Sequence, residues 1–115
     1  MKITEALNEI IDNLNAAGLA ATDTPGQVQL PGALVLPGLI EFAYMDSETF
    51  NMDFQIYLLA ANKGSISLDH LQDSLGKFRT VYPVTEAKPV SIPLSQYPEP
   101  CPALSITLSL RITKD

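Results

Sequence analysis

The sequence predicts an α+β fold in which two α-helices cover one face of a mostly antiparallel β-sheet. Polar and apolar residues alternate without a break along Thr49–Leu58 and again along Ala103–Thr113. Alternation with period two is typical of strands that have one buried and one solvated face. Helical patterns at residues 3–17 and 67–80 supply the cover that such a sheet needs. With 115 residues, the chain is predicted to form a single domain.

Charge and cysteine content narrow the classes of function. The formal net charge is −6 and the seven Lys and Arg residues are scattered, whereas phosphate binding needs clustered cations. The single cysteine, Cys101, excludes an intrachain disulfide. No apolar run reaches the roughly 18 residues of a membrane span, and the first residues do not read as a signal peptide. We therefore expect no direct nucleic-acid recognition, no membrane contact, and either a reducing compartment or export inside a particle.

The first helix is predicted over residues 3–17. Apolar residues recur there at spacings of three and four, which places them on one side of a helix. Gly18 follows as a typical residue just past a helix end. Residues 19–38 contain three turn signals with Pro-Gly pairs, and the apolar run 33–36 between two of them predicts a short strand.

A long hairpin is predicted over residues 39–60, with its turn at residues 46–48. The register follows from the alternation, because only an odd-length turn keeps the apolar residues of both strands on one face. In this register Ile40 faces Phe54, and Phe42 faces Met52.

The same register places Glu41 directly opposite Asp53 on the solvated face. Like charges at directly opposed positions are mildly destabilising. Two interpretations stay open. Either the two carboxylates splay apart in solvent, or a cation lies beside them, from Lys88, from Arg111 or from a neighbouring subunit.

The second helix is predicted over residues 67–80. Ser67 is a suitable N-cap residue. The expected buried stripe consists of Leu68, Leu71, Leu75 and Phe78. Gly76 is expected to weaken the helix and to allow close approach to the sheet.

Two further strands are predicted at 86–94 and 103–113. Pro89 and Pro93 have the same parity, so the N–H groups that they lack point to the same side of the first of these strands. Proline is tolerated where no ladder bond is needed, which predicts that this strand lies at an edge of the sheet.

No residue pattern indicates catalysis or metal binding. His70 is the only histidine, lies off the apolar stripe and is expected in solvent, and without a cysteine pair a zinc site is not expected. Cys101 lies between two prolines, with neither a base nor a helix N-terminus beside it. The glycine motifs of phosphate-binding loops are missing from the sequence. We expect neither an enzyme nor a protein with a metal or cofactor.

Short turn motifs and the order of the elements carry a resemblance to a known family. The motifs are Ala16-Ala17-Gly18, the turn Thr22–Pro25, Pro31-Gly32 followed by the apolar run 33–36, and the last strand in Pro102–Leu110. With these features the chain resembles the tail terminator, or tail-to-head joining, proteins of long-tailed, siphovirus-like bacteriophages, especially those of actinobacteria. The resemblance extends over nearly the whole chain.

The resemblance implies a structural virion protein that forms a ring, usually hexameric, at the head-proximal end of the tail tube. Such a ring ends tube polymerisation and joins the tail to the head or neck. Its implied partners are further copies of itself, the tail tube protein and a head-completion or neck connector protein, and it assembles in the host cytoplasm. Two alternatives stay open, another head–tail connector of the same particle or a small cytoplasmic module that binds a peptide along its edge strand.

The candidate interface follows from the strand pattern, because no residue-level functional site of the family maps cleanly onto this sequence. The candidates are Glu41, Asn51, Asp53, Gln55 and Tyr57 on the solvated face of the hairpin, Asp46 and Glu48 at its turn, and the cations Lys88 and Arg111. A closed ring needs head-to-tail contacts between two different surfaces of each subunit. We expect the hairpin to provide one of them.

Overall fold

The computed structural model describes residues 3–41, 49–62, 64–84 and 86–113. The elements in these ranges are α1 (Ile3–Ala16), β1 (Ala21–Thr22), a 3-10 turn (Pro25–Gln27), β2 (Gly32–Glu41), β3 (Thr49–Leu59), α2 (Ser65–Arg79), β4 (Lys88–Ile92) and β5 (Cys101–Thr113). The strands form one five-stranded sheet in the order β1-β2-β3-β5-β4, in which only β1 and β2 are parallel. The predicted α+β class is confirmed.

The central strands β2, β3 and β5 form a long three-stranded ribbon. β1 pairs only with Ala33 and Leu34 of β2, and β4 pairs only with residues 101–105 of β5. Leu34 and Ser105 both lie opposite Tyr57 of β3, so the two flanking strands end at the same rung of the ribbon. We call the part beyond this rung the free end of the ribbon; it comprises residues 35–41, 49–56 and 106–113.

The alternating residues of β3 and β5 build the main core, as predicted. Met52, Phe54, Ile56 and Leu58 are each at most 2% exposed. The helices cover them with the following buried side chains: Ala6, Ile10 and Leu14 from α1, and Leu71 and Phe78 from α2. Burial of these apolar side chains is the main stabilising contribution on this face of the sheet.

The end of α1 has the predicted glycine geometry. Gly18 adopts a φ of +95°, which L side chains rarely adopt. The Leu19 N–H donates to the Leu14 carbonyl at 3.0 Å and the Gly18 N–H donates to the Asn15 carbonyl at 3.1 Å. This is the Schellman arrangement, and it buries Leu19 against the main core. The helix ends at Ala16, one residue before the predicted boundary.

The predicted hairpin register is wrong by two residues. β2 is one strand from Gly32 to Glu41, so the short strand predicted at 33–36 and the first arm of the hairpin are continuous. Ile40 pairs with Met52 rather than with Phe54.

The opposition predicted between Glu41 and Asp53 is wrong as well, because Glu41 pairs with Asn51. An irregularity between Pro37 and Ile40 shifts the pairing of β2 with β3. The Pro-Gly pair that was predicted to mark a turn therefore lies at a bulge-like irregularity within a strand. Phe42 and the predicted turn at 46–48 lie outside the described residues.

The second helix starts earlier than predicted, and its buried face matches the prediction only in part, because Leu71 and Phe78 are buried as expected but Leu68 is not. α2 begins at Ser65, and Ser67 is 2% exposed inside the helix rather than at its N-cap. The Ser67 hydroxyl donates to the Ala61 carbonyl at 2.6 Å, which ties this face to the chain leaving β3. The buried positions are Ser67, Leu71, Ser74 and Phe78. Leu68, predicted to be buried, is 66% exposed.

The opposite face of the sheet is partly covered. A second cluster lies at the end of the ribbon flanked by β1 and β4 and consists of Val28, Leu34, Leu59, Leu94, Cys101 and Ala103. The 3-10 turn and the segment 93–100 cover it, linked where Gln96 donates to the Pro25 carbonyl at 2.8 Å. Val90 and Ile92 of β4 pack here, on the side of the sheet away from the helices.

The predicted edge position of the strand that contains Pro89 is confirmed by the strand order. The strand is shorter than predicted, since β4 spans Lys88–Ile92 instead of 86–94.

Two glycines should respond in opposite directions to alanine. A Cβ at Gly32 would lie 2.1 Å from the Gln29 carbonyl oxygen, whereas a Cβ at Gly76, in α2, meets nothing within 4 Å. Gly32→Ala should lower the free energy of unfolding by about 1–3 kcal/mol. Gly76→Ala should raise it by up to about 1 kcal/mol through helix propensity. Urea unfolding of both variants measures this, and a neutral Gly32→Ala would contradict the close contact.

Candidate interface on the polar face of the ribbon

The side of β3 and β5 that faces away from the helices carries a continuous set of polar side chains. We call it the polar face and define it by Asn51, Asp53, Gln55 and Tyr57 of β3 with Ser105, Thr107 and Ser109 of β5. The strand register places these residues in adjacent rows, because Asp53 pairs with Ser109, Gln55 with Thr107 and Tyr57 with Ser105.

Hydrogen bonds across the two strands fix these side chains. The Gln55 Nε2 donates to the Thr107 Oγ1 at 3.0 Å, and the Ser105 Oγ donates to the Gln55 Oε1 at 3.4 Å. The Ser109 Oγ donates to a carboxylate oxygen of Asp53. A polar surface whose side chains are already ordered loses less conformational entropy when a partner covers it.

Four predicted interface residues lie together on this face. Asn51, Asp53, Gln55 and Tyr57 are half-buried and project from one strand. Tyr57 also packs against the second apolar cluster, so it marks the border between the covered part of the sheet and the polar face.

The structure describes only some of the remaining predicted interface residues. Lys88 is exposed at the start of β4 and pairs with Ser105, which puts it on the same side of the sheet. Arg111 of β5 and Glu41 of β2 both pair with Asn51 of β3, so the three residues lie on one rung of the ribbon. The predicted turn residues Asp46 and Glu48 lie outside the described ranges.

Sequence reasoning missed a cleft of about 330 Å³ beside the polar face. It is lined by Pro83, Val84, Glu86, Lys88, Ser105, Ile106 and Thr107. The cleft exists because β4 starts only at Lys88, and the strand pattern of residues 86–94 contains no signal for that boundary. Glu86 and Lys88 give its rim one charge of each sign.

The described residues contain no group of three or more His, Cys, Asp or Glu side chains that is arranged to hold a metal ion. His70, expected in solvent, is half-buried on α2. No helix in the described part of the chain is long and apolar enough to cross a membrane.

Cys101 lies in the second apolar cluster as a free thiol that is 2% exposed. Its burial raises the pKa of the thiol above the ordinary value of 9.0, because a thiolate is poorly solvated there. The protonated thiol thus behaves as a small apolar side chain.

Comparison with known proteins gives no family assignment, since the sequence matches no family model and no curated protein. The resemblance to tail terminators therefore rests on the turn motifs and the element order.

Cys101 should react slowly with a thiol reagent in the native protein and rapidly in denaturant, which serves as the control. A folded-state pKa raised above 9.0 means that the native state holds the proton more tightly than the unfolded state. The stability that the protonated Cys101 thiol contributes is complete below pH 9.0 and is lost as pH rises through the folded-state pKa. Equal labelling rates in native and denatured protein would contradict the burial of Cys101.

Proposed function

We propose that this chain is a ring-forming structural protein of a phage tail, and specifically a tail terminator. The observation that supports this most is the free end of the ribbon, a three-stranded stretch whose polar face is ordered and open. The longest strands, β3 and β5, form an extended surface, and extended surfaces are suited to protein–protein contacts. The ring, its hexameric size and its position at the head-proximal end of the tail tube come from the family resemblance.

A head-to-tail ring requires that each subunit present two different surfaces to its neighbours. The polar face supplies one of them. On the helical side of the sheet, α2 exposes Ile66 and Leu68, at 53% and 66%. These side chains give the opposite side of the subunit a surface of different chemistry. In the proposed assembly the other two partners are the tail tube protein and a head-completion or neck connector protein.

The same ribbon also suits another connector of the neck. A terminator binds the end of the tail tube, whereas a connector nearer the head does not need to. Binding to the tail tube protein therefore separates the two functions.

Asp53→Lys should prevent ring formation and leave the subunit folded. The substitution reverses a charge at the centre of the polar face and removes the acceptor of the Ser109 hydrogen bond. Light scattering after size-exclusion chromatography, with the protein alone and with the tail tube protein of the same phage, measures the assembly. Asp12→Lys reverses an exposed charge on α1 and is the matched control.

Circular dichroism and thermal melting show whether both variants fold. A ring formed equally well by Asp53→Lys and wild type would rule out the polar face as the subunit contact. A wild-type chain that stays monomeric both alone and with tube protein would overturn the proposed function.

A further inference from the structure

We infer that the outer edge of β5, from Thr107 to Thr113, pairs antiparallel with the same segment of a second copy of this chain. The inference goes beyond the proposed ring, because it concerns a strand edge instead of the polar face. It rests on the direction of the backbone groups of β5, on the way the other edges are closed and on the sequence of the segment.

The odd-numbered residues of β5 direct their backbone groups away from β3. The Ala60 N–H donates to the Pro102 carbonyl at 3.0 Å, which shows that even-numbered residues of β5 bond towards the β3 side. Thr107, Ser109 and Arg111, together with Thr113, therefore present their N–H and C=O groups outward. Within the described ranges, the pairing of β4 with β5 ends at Ser105, so it does not reach these groups.

On the two outer strands of the sheet, β1 and β4, particular residues hinder pairing with a further strand. The Ala21 N–H donates to the Asn15 side chain at 3.0 Å and the Asn15 amide donates back to the Ala21 carbonyl at 3.4 Å, so a side chain completes the edge of β1. On β4, Pro89 pairs with Leu104, an even-numbered residue, and the N–H that Pro89 lacks would point to the outer side.

The edge of β2 at the free end is interrupted. The Ala33 N–H donates outward to the Ala20 carbonyl, so Val35 and Pro37 face outward too. Pro37 has no N–H to donate, and the irregularity directly after it shifts the pairing of β2 with β3. Proteins blunt their exposed strand edges with prolines, bulges and short strands of this kind. The outer edge of β5 has none of these devices.

The segment is self-complementary around Leu110. Its sequence reads Thr-Leu-Ser-Leu-Arg-Ile-Thr, so a two-fold axis at Leu110 sets Thr107 opposite Thr113 and Leu108 opposite Ile112 of the other copy. In this register the four residues of one copy whose backbone groups point outward lie opposite the same four residues of the other copy. This gives about eight backbone hydrogen bonds. Cross-strand Thr–Thr pairs and apolar pairs are favourable on a sheet.

Charge fits the same register. It places Arg111 of one copy opposite Ser109 of the other, in the row of Asp53, so a positive residue enters a row that contains a carboxylate.

Ser109→Pro should disrupt this contact, and Ser109→Ala should not. Both substitutions remove the hydrogen bond to Asp53, but only proline removes the outward N–H, and it leaves the β3–β5 bonds intact. Light scattering should give a molar mass for Ser109→Pro that is about half that of Ser109→Ala. Equal masses in two folded variants would overturn the inference.

A disulfide tests the register directly. At the two-fold axis Leu110 faces its own copy in a non-hydrogen-bonded pair with a Cα separation of about 4.5 Å, within the range for a disulfide. Leu110→Cys should therefore form a covalent dimer under mild oxidation. Leu104→Cys, on the same face but beside β4, is the control and should stay monomeric.

The results separate this contact from the ring. Cross-linking of Leu110→Cys without any larger species supports the edge contact and counts against the ring. A ring in which Leu110→Cys does not cross-link, or cross-links no faster than Leu104→Cys, overturns the edge contact and leaves the ring standing. A wild-type chain that stays monomeric both alone and with tube protein overturns both.

Discussion

The structure depends on the pairing of β3 with β5. Eleven residue pairs, from Thr49–Thr113 to Leu59–Ala103, hold the two strands in one register without a shift. This single register fixes which side chains face the helices and which form the polar face, because a slip of one residue would exchange the two sets. The main core, the second cluster and the hydrogen-bonded polar row all follow from it.

The alternation of β3 and β5 predicted their faces correctly because the helices bury one face of both strands, and apolar burial decides their orientation. The end of α1 was predictable for a different, local reason, since Gly18 permits a backbone conformation that other residues avoid. The β2 register was not predictable, because Pro37 and Gly38 are compatible with either a turn or an irregular strand. A Cβ at Gly38 would lie 2.9 Å from the Asp53 carbonyl oxygen, and such a contact is invisible in a local pattern.

The buried face of α2 shows a second limit of prediction from the sequence. Hydrophobic periodicity assigned Leu68 to the core, yet Ser67 and Ser74 occupy buried positions and Leu68 faces outward. A serine that satisfies its hydroxyl locally costs little to bury, so polarity alone misassigns it. The candidate interface was predictable where it lies on β3, whereas the cleft beside Lys88 depends on a strand boundary that no residue type marks.

The common rung at which β1 and β4 end also has a mechanical consequence. On one side of Leu34, Tyr57 and Ser105 the sheet is five strands wide and has apolar cover on both faces. On the other side the ribbon is three strands wide, and its polar face is open. Narrow sheets twist more easily than wide ones. We therefore expect torsion applied at the tip to twist the three-stranded part first, and the rows of Met52, Phe54 and Ile56, which the helices cover, to limit how far that twist travels along the ribbon.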